Sequence, residues 1–388
     1  MDNKFLNRLR EYCEKENFKG YDPFDGLNSK FFRALPYIRN NRLCRLAWLQ
    51  FFKRSPVNFR PFLGVKKAYN PKGLGLFLSG YCNLYKTEKK EAYLEKINYL
   101  IDKINACQSK GYSGACWGYN FDWQAKAFFQ PKGTPSVVVS SYIAGALLDA
   151  YAVLQDKKLL ETARSTCDFI LADLYRTYDA QGDFAFSYSP VDKTQVFNAS
   201  LLGCRLLCRM YAFTKEPLLL EESKKAVAFA CKHQQENGAW TYSPLPFHQW
   251  VDNFHTGYNL ECIYTYQTVS GDNGFANHFE RGLNYYLETF FEKDGTPKYY
   301  SHSRYPVDMH NTAQLMVTLS KTGRFEENKE LINKVLHWSQ ENMFDTKKGY
   351  FYYVKQKSGI VKINYIRWTQ AWMFFAYSHY ILNILNIK

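Results

Sequence analysis

Apolar and polar positions along this chain follow a long rhythm. Runs of small and apolar residues open near Gly73 (to Gly80), Ser136 (to Tyr151), Val196 (to Tyr211), Thr256, Asp308 (to Leu319) and Ile366 (to Leu385), at intervals of 63, 60, 60, 52 and 58 residues. Such runs suit helices buried on every side. More charged, one-faced stretches follow the first five: Glu91 to Gln108, Lys158 to Tyr175, Pro217 to Gln235, Asn273 to Phe290 and Glu326 to Met343. An earlier stretch, Asn41 to Arg54, repeats Leu43, Leu46, Ala47, Leu49, Gln50 and Phe51 at helical spacing. A period near sixty is too long for one helical pair of a solenoid, and fits two helices plus a long loop.

The loops repeat as well. After each charged stretch comes a glycine and then aromatics, at Gly114 to Tyr119, Gly182 to Tyr188, Gly238 to Tyr242, Gly295 to Tyr300 and Gly349 to Tyr353. Alternation such as Phe184, Phe186, Tyr188 or Trp240, Tyr242 has strand period and predicts short β-hairpins on one rim. Six apolar inner helices alternating with one-faced outer ones describe an all-α, closed (α/α)6 toroid, with Asn41 to Arg54 expected to supply the first outer partner. Residues 38–388 would form this one domain. Residues 1–37, with the turn-rich Tyr21-Asp22-Pro23-Phe24-Asp25-Gly26-Leu27-Asn28, would form an N-terminal cap.

Composition narrows the classes. Across 388 residues, 46% hydrophobic and 18% aromatic content supports a large core and excludes a disordered or fibrous chain. A net charge of +14 admits polyanionic partners. The basic residues read as spread rather than clustered, in pairs such as Lys66-Lys67, Lys89-Lys90 and Lys347-Lys348 that suit solvated turns. The charged N-terminus has no secretory apolar region, and no run reaches the ~18 apolar residues of a membrane span. The expected compartment is the cytoplasm, with peripheral membrane contact allowed. Ten cysteines without a C-x-x-C pair read as free, mostly buried thiols, which argues against disulfides and zinc.

The densest chemistry lies in Phe247 to Asn259, where His248, Trp250, Asp252, His255, Tyr258 and Asn259 precede an apolar run. Asp252, His255 and Tyr258 are spaced three apart and share a helix-start face, as a carboxylate-oriented imidazole and a proton-transferring phenol would. Asp252 is equally placed to cap the helix. Asp308 and His310 open the fifth inner helix, with Asp308 again a plausible cap, and Asp122 sits between Phe121 and Trp123. Two carboxylates among Asp122, Asp252 and Asp308 would suffice for glycosidic hydrolysis. Trp117, Tyr119 and Trp123, Asn198, and Arg367 with Trp368 occupy the openings of other inner helices. Those loops should line one funnel and, with His248, Trp250 and Asn259, bind substrate. Indole and phenol faces beside amide, imidazole and guanidinium groups suit a sugar. A nucleic-acid channel would need a continuous Lys/Arg track, which these loops lack. His248 and His255 have no third ligand at short spacing, so neither metal nor cofactor is expected.

The chain resembles the six-hairpin α/α toroid group of carbohydrate-active proteins. More closely, it resembles proteins of bacterial exopolysaccharide and capsule gene clusters, in Tyr21 to Asn28, Arg54-Ser55-Pro56-Val57-Asn58, Gly111 to Gln124 and Asp252-Asn253-Phe254-His255-Thr256-Gly257-Tyr258-Asn259. Trp250 to Asn259 is also similar to a Trp-Asp-Tyr-His-Thr-Thr-His-Ile-Asn segment of heparosan glucuronyl C5-epimerases, whose second His has no counterpart here. Gln234 to Trp240 is similar to the Gln-to-Trp repeats of terpenoid cyclases, without their Asp-x-Asp-Asp motif. The resemblances imply an enzyme of surface-polysaccharide biosynthesis acting on an acidic glycan, polysaccharide or lipid-linked oligosaccharide, by uronate epimerisation, elimination or hydrolysis. In the first two, His255 or Tyr258 would abstract the proton beside a carboxylate neutralised by Arg367. The other reading is a glycan-binding or assembly protein without turnover.

Overall fold

The computed structural model describes residues 4–125 and 128–386, so the outermost residues of both expected segments lie outside the description. Fifteen α-helices are described. At the N-terminal side lie α1 (Lys4–Lys15), α2 (Lys30–Arg33), α3 (Pro36–Asn40) and α4 (Arg42–Arg54). The inner helices are α5 (Pro71–Glu88), α7 (Val137–Leu154), α9 (Phe197–Thr214), α11 (Asn253–Ser270), α13 (Met309–Lys321) and α15 (Trp372–Asn386). Alternating with them are α6 (Glu91–Ala106), α8 (Lys157–Asp168), α10 (Pro217–Lys232), α12 (Ala276–Phe290) and α14 (Lys329–Met343).

Each inner helix packs on the next, and α15 closes the ring on α5. This is the (α/α)6 toroid that the periodicity predicts. The inner helices are buried on nearly all sides, so only apolar and small residues fit along most of their length. Asn70, Ser136, Asp252 and Asp308 cap their helices through side-chain oxygens. Helix α7 corrects one sequence expectation. It is long and apolar enough to cross a membrane by length and composition, yet it lies mostly buried as an inner stave of the ring.

The outer layer also differs from expectation. Helix α4 forms where Asn41 to Arg54 predicted it, but it sits at the mouth of the ring instead of outside it. The sixth outer helix is α1, which packs against α15 through a face of Leu6, Leu9 and Cys13. The recurring loop glycines show why it fits. A Cβ on Gly238 would stand 2.3 Å from the carbonyl of Arg281 in outer helix α12, and one on Gly349 would stand 2.9 Å from the carbonyl of Arg8 in α1. Both glycines have positive φ, and both let a loop press against the next outer helix. Short hairpins do decorate the rim, as Arg176–Tyr178 with Phe184–Phe186 and Phe344–Asp345 with Tyr350–Phe351. Trp240 and Tyr242, predicted in the same pattern, form no strand. All ten cysteines are free.

Candidate active site

The inner helices point their N-termini at one cavity of about 460 Å³. Its floor follows a simple rule. Lys72, Val138, Asn198, Phe254 and His310 each stand second in an inner helix, and all line the cavity. Arg367 holds the same place in the buried π-helical turn Ile366–Ala371 that leads into α15. A side chain one residue inside a helix start leans back over that start, which aims these six groups at the axis. The helix dipoles point the same way, so the floor favours negative charge.

His255 carries the clearest chemical geometry. Its Nδ1 lies 2.7 Å from Asp252 Oδ2, which also accepts from Trp250 Nε1 at 3.0 Å, while Asp252 Oδ1 caps α11 by accepting from the His255 backbone N–H at 3.1 Å. A carboxylate at Nδ1 holds the proton there and leaves Nε2 as the basic nitrogen. The ring is clamped between Phe254 and Tyr242, with centroids 4.0 and 4.8 Å away, and keeps partial exposure to the cavity.

His310 is the second imidazole. Its Nε2 lies 2.9 Å from the Tyr258 hydroxyl, and Lys72 Nζ approaches that hydroxyl at 3.5 Å. His310 stacks on Phe254 at 4.4 Å, so the two imidazole centroids are at most 8.4 Å apart, the sum of their separations from that shared ring. Burial, reinforced by the charges of Lys72 and Arg367, pushes the His310 pKa well below its usual value and keeps it neutral. Burial likewise lowers Lys72, with Arg367 and Arg205 adding repulsion, and raises the Tyr258 phenol. The Lys72 ammonium position is caged by Tyr142, Tyr258 and Trp372, the nearest ring centroid being 4.2 Å away.

The walls are aromatic. Tyr119 stacks on Phe121 at 5.1 Å, Trp250 stacks on Tyr242 at 4.7 Å, and Trp123 and Trp368 add indole surface. His248 lines the wall with Nδ1 3.0 Å from Ser243 Oγ, and Asn198 lines it with Oδ1 lacking a partner among the described residues. Arg367 is buried and bonded twice to Asp22, through Nε at 2.5 Å and Nη2 at 2.7 Å. Its charge is therefore already countered, which corrects the expectation that it waits for a substrate carboxylate; Nη1, without a hydrogen bond among the described residues, remains its means of reaching a ligand.

Ten of the fifteen sequence-derived candidates line this cavity: Tyr119, Trp123, Asn198, His248, Trp250, His255, Tyr258, His310, Arg367 and Trp368. The three carboxylates do not. Asp252 and Asp308 are buried helix caps, Asp308 accepting from the His310 N–H at 2.9 Å and from Trp368 Nε1 at 2.8 Å. Burial raises the Asp308 pKa to about 7. Asp122 lies outside, accepting from the Lys132 backbone N–H at 2.7 Å and pairing with Arg33 at 3.3 Å. No carboxylate lines the cavity among the described residues, so the acid pair expected for hydrolysis is not assembled. Trp117 is fully buried with Nε1 donating to the Ile104 carbonyl, and Asn259 is buried nearly two turns into α11, so neither lines the cavity. Sequence reasoning missed Lys72 and the α4 face of Leu46, Leu49, Gln50 and Lys53. The second-position rule would have found Lys72.

Residues 61–185 match the family model for the beta-L-arabinofuranosidase GH127 catalytic domain. No curated protein sequence gives a significant match. Among solved structures, a cellobiose 2-epimerase from Bacillus thermoamylovorans superposes with a TM-score of 0.64 at 12% identity, covering 97% of this chain and 99% of that one. A GH76 alpha-mannanase from Bacteroides thetaiotaomicron gives 0.63 at 12% identity over 82% and 88% of the two chains. An unsaturated glucuronyl hydrolase specific for heparin gives 0.62 at 12% identity over 100% and 96%. At these identities the likeness establishes the shared toroid.

Proposed function

We propose that this protein is a carbohydrate-active enzyme of surface-polysaccharide biosynthesis that moves a proton at a carbon beside a carbonyl or carboxylate of an acidic sugar. The observation that carries this reading is a cavity holding two imidazoles and no carboxylate among its described lining residues. Hydrolysis by the usual carboxyl pair has no groups to use there. Proton transfer has them side by side on α11, where the His255 and Tyr258 rings meet edge to face at 5.8 Å. His255, oriented by Asp252, takes the proton through Nε2. Tyr258, hydrogen-bonded to His310, returns one; return to the face it left exchanges the hydrogen, and return to the other face inverts the carbon. With a glycosidic oxygen on the next carbon, loss of that oxygen instead of reprotonation gives elimination.

Charge supports an acidic substrate. Lys72, Lys53 and Arg54 line the cavity, and the inner-helix N-termini add their dipoles. These groups stabilise the enediolate formed when the proton leaves, without competing base chemistry from a carboxylate. The aromatic walls stack sugar faces. The resemblance to capsule-cluster proteins and to glucuronyl C5-epimerases points to the same substrate class, and one of the similar structures is a sugar epimerase.

A hydrolase is the second reading, favoured by the glycosidase family model over residues 61–185. That span contributes Lys72, Tyr119, Trp123 and Gln124 to the cavity but neither imidazole. Incubation with uronate-containing oligosaccharides in deuterated water separates the readings by proton NMR and mass spectrometry. Deuterium at a ring carbon without chain cleavage, or an unsaturated product, supports proton transfer. New reducing ends without carbon-bound deuterium would establish hydrolysis, and binding without any conversion would establish a binding module.

A further inference from the structure

The positive charge is concentrated in one segment, against the expectation that the basic residues are spread. Residues 30–67 hold ten Lys and Arg and no Asp or Glu, so this tenth of the chain carries +10 of the net +14. Lys30, Arg33, Arg39, Arg42, Arg54, Lys66 and Lys67 are exposed. Arg33 pairs with Asp122, Arg60 with Asp25 and Lys67 with Glu16.

The same segment exposes large apolar side chains. Tyr37 is 92% exposed, Phe62 84%, Leu43 69%, Phe31 54% and Val57 53%. Phe31 belongs to a continuous aromatic cluster: it stacks on Trp48, Trp48 contacts Phe51, and Phe51 stacks on Phe59. Ser29 Oγ bonds the Leu63 carbonyl at 2.7 Å, tying the Phe62 turn to the start of α2. Helix α4 has three faces. Leu46, Leu49, Gln50 and Lys53 line the cavity, Trp48 and Phe52 pack inward, and Leu43, Ala47 and Phe51 form an exposed i, i+4, i+8 stripe beside the cavity face.

We infer that residues 30–67 are an interfacial docking surface for an anionic lipid bilayer, holding the cavity mouth against the membrane. Exposed aliphatic and aromatic side chains interleaved with arginine and lysine suit the headgroup boundary, where the rings and aliphatic chains enter the acyl region and the cations meet lipid phosphates. A second copy of the chain is disfavoured, because it would bring the same ten cations face to face. A nucleic acid or free polyanion would use the cations but leave Leu43, Ile38 and Val57 in water. This inference does not rest on the chemistry proposed for the cavity. It gives a physical reason for an enzyme of this kind to meet lipid-linked sugars.

The test is sedimentation of the full chain with vesicles of phosphatidylcholine alone and of phosphatidylcholine with an equal part of phosphatidylglycerol. Binding is expected only to the anionic vesicles and should weaken with salt. Lys30→Gln with Arg39→Gln should weaken it about 25-fold, at about fivefold per cation. Leu43→Ser with Phe62→Ser should weaken it at least tenfold while the circular dichroism spectrum and melting temperature stay unchanged, since both side chains are exposed. No binding to anionic vesicles at low salt overturns the inference. So does binding that the apolar pair leaves untouched and that heparin abolishes, which would mark a polyanion site. A dimer in solution that the apolar pair dissociates would show that a second copy covers this face.

Discussion

Tyr258→Phe tests the proposed chemistry most directly, because it removes one oxygen and keeps the ring. The ring is buried at 2% exposure and stacks on Trp372 at 5.7 Å, contacts that phenylalanine preserves. The oxygen bridges His310 Nε2 at 2.9 Å and Lys72 Nζ at 3.5 Å, and burial holds its proton on. Losing it leaves a buried imidazole nitrogen without its partner, at about 1–3 kcal/mol of stability. If Tyr258 delivers the returning proton, the chemical step falls by about 10²–10⁴-fold, the usual worth of a positioned acid or base. Substrate affinity should change little, because the aromatic walls and cations are intact. The assay is the rate of deuterium incorporation from deuterated water on the converted oligosaccharide, with affinity measured by calorimetry and stability by urea denaturation. A variant that exchanges within threefold of the wild-type rate while losing 1–3 kcal/mol would show that Tyr258 only braces His310. The mechanism would then need another acid.

Lys72→Met should hold or raise the melting temperature. The Lys72 pKa is depressed in the fold, so the unfolded chain takes its proton more readily below 10.5 and the lysine costs stability at neutral pH. The same change should weaken an acidic sugar at least tenfold by calorimetry, and an unchanged affinity would remove Lys72 from the site. Asp308→Asn should flatten the pH dependence of melting. The Asp308 pKa rises from 3.8 to about 7 on folding, so its stabilisation is full below about pH 4 and lost as pH climbs through 7, on the order of 4 kcal/mol in all. Wild type should therefore lose more than the variant between pH 5 and 8, and parallel curves would refute the shift. Asp22→Ala strands the buried Arg367 guanidinium and should cost about 3–5 kcal/mol in urea denaturation, a loss below 1 kcal/mol showing that solvent reaches it.

The ring was legible because its signal repeats. Six apolar runs at near-constant spacing leave few arrangements other than a closed barrel of helices, and the boundaries of α7, α9 and α13 fall within three residues of the predicted ones. The first outer partner was misread because Asn41 to Arg54 has helical periodicity whichever layer it joins. Periodicity reports that a face is apolar, not what that face meets: α4 turns Leu46, Leu49 and Gln50 towards the cavity and leaves Leu43, Ala47 and Phe51 exposed. The candidate site divides on similar grounds. His255 and Tyr258 were visible because they crowd one helix start. Asp252 was visible too, but an aspartate before a helix serves equally as cap and as partner of an imidazole, and here it is both. Arg367 and Asp22 meet across 345 residues, a pairing that no local pattern carries.

Charge required a different sum. Scanning for runs of consecutive lysines and arginines finds only pairs, because the segment from Lys30 to Lys67 intersperses its cations with Phe, Leu, Trp and Tyr. The informative quantity is the absence of any carboxylate over 38 consecutive residues, most of whose cations are exposed. Mixed apolar and basic positions look like noise to a run-based search, yet they are the composition expected where a protein meets both lipid chains and their phosphates. The cavity shows the same logic inverted. Its wall gathers cations from α4, α5 and the turn before α15 while every candidate carboxylate turns away into a cap or an ion pair. The basic edge inferred to meet a membrane and the acid-free pocket share one helix, and together they are the arrangement expected of a protein that takes an anionic sugar at an anionic surface, as proposed above.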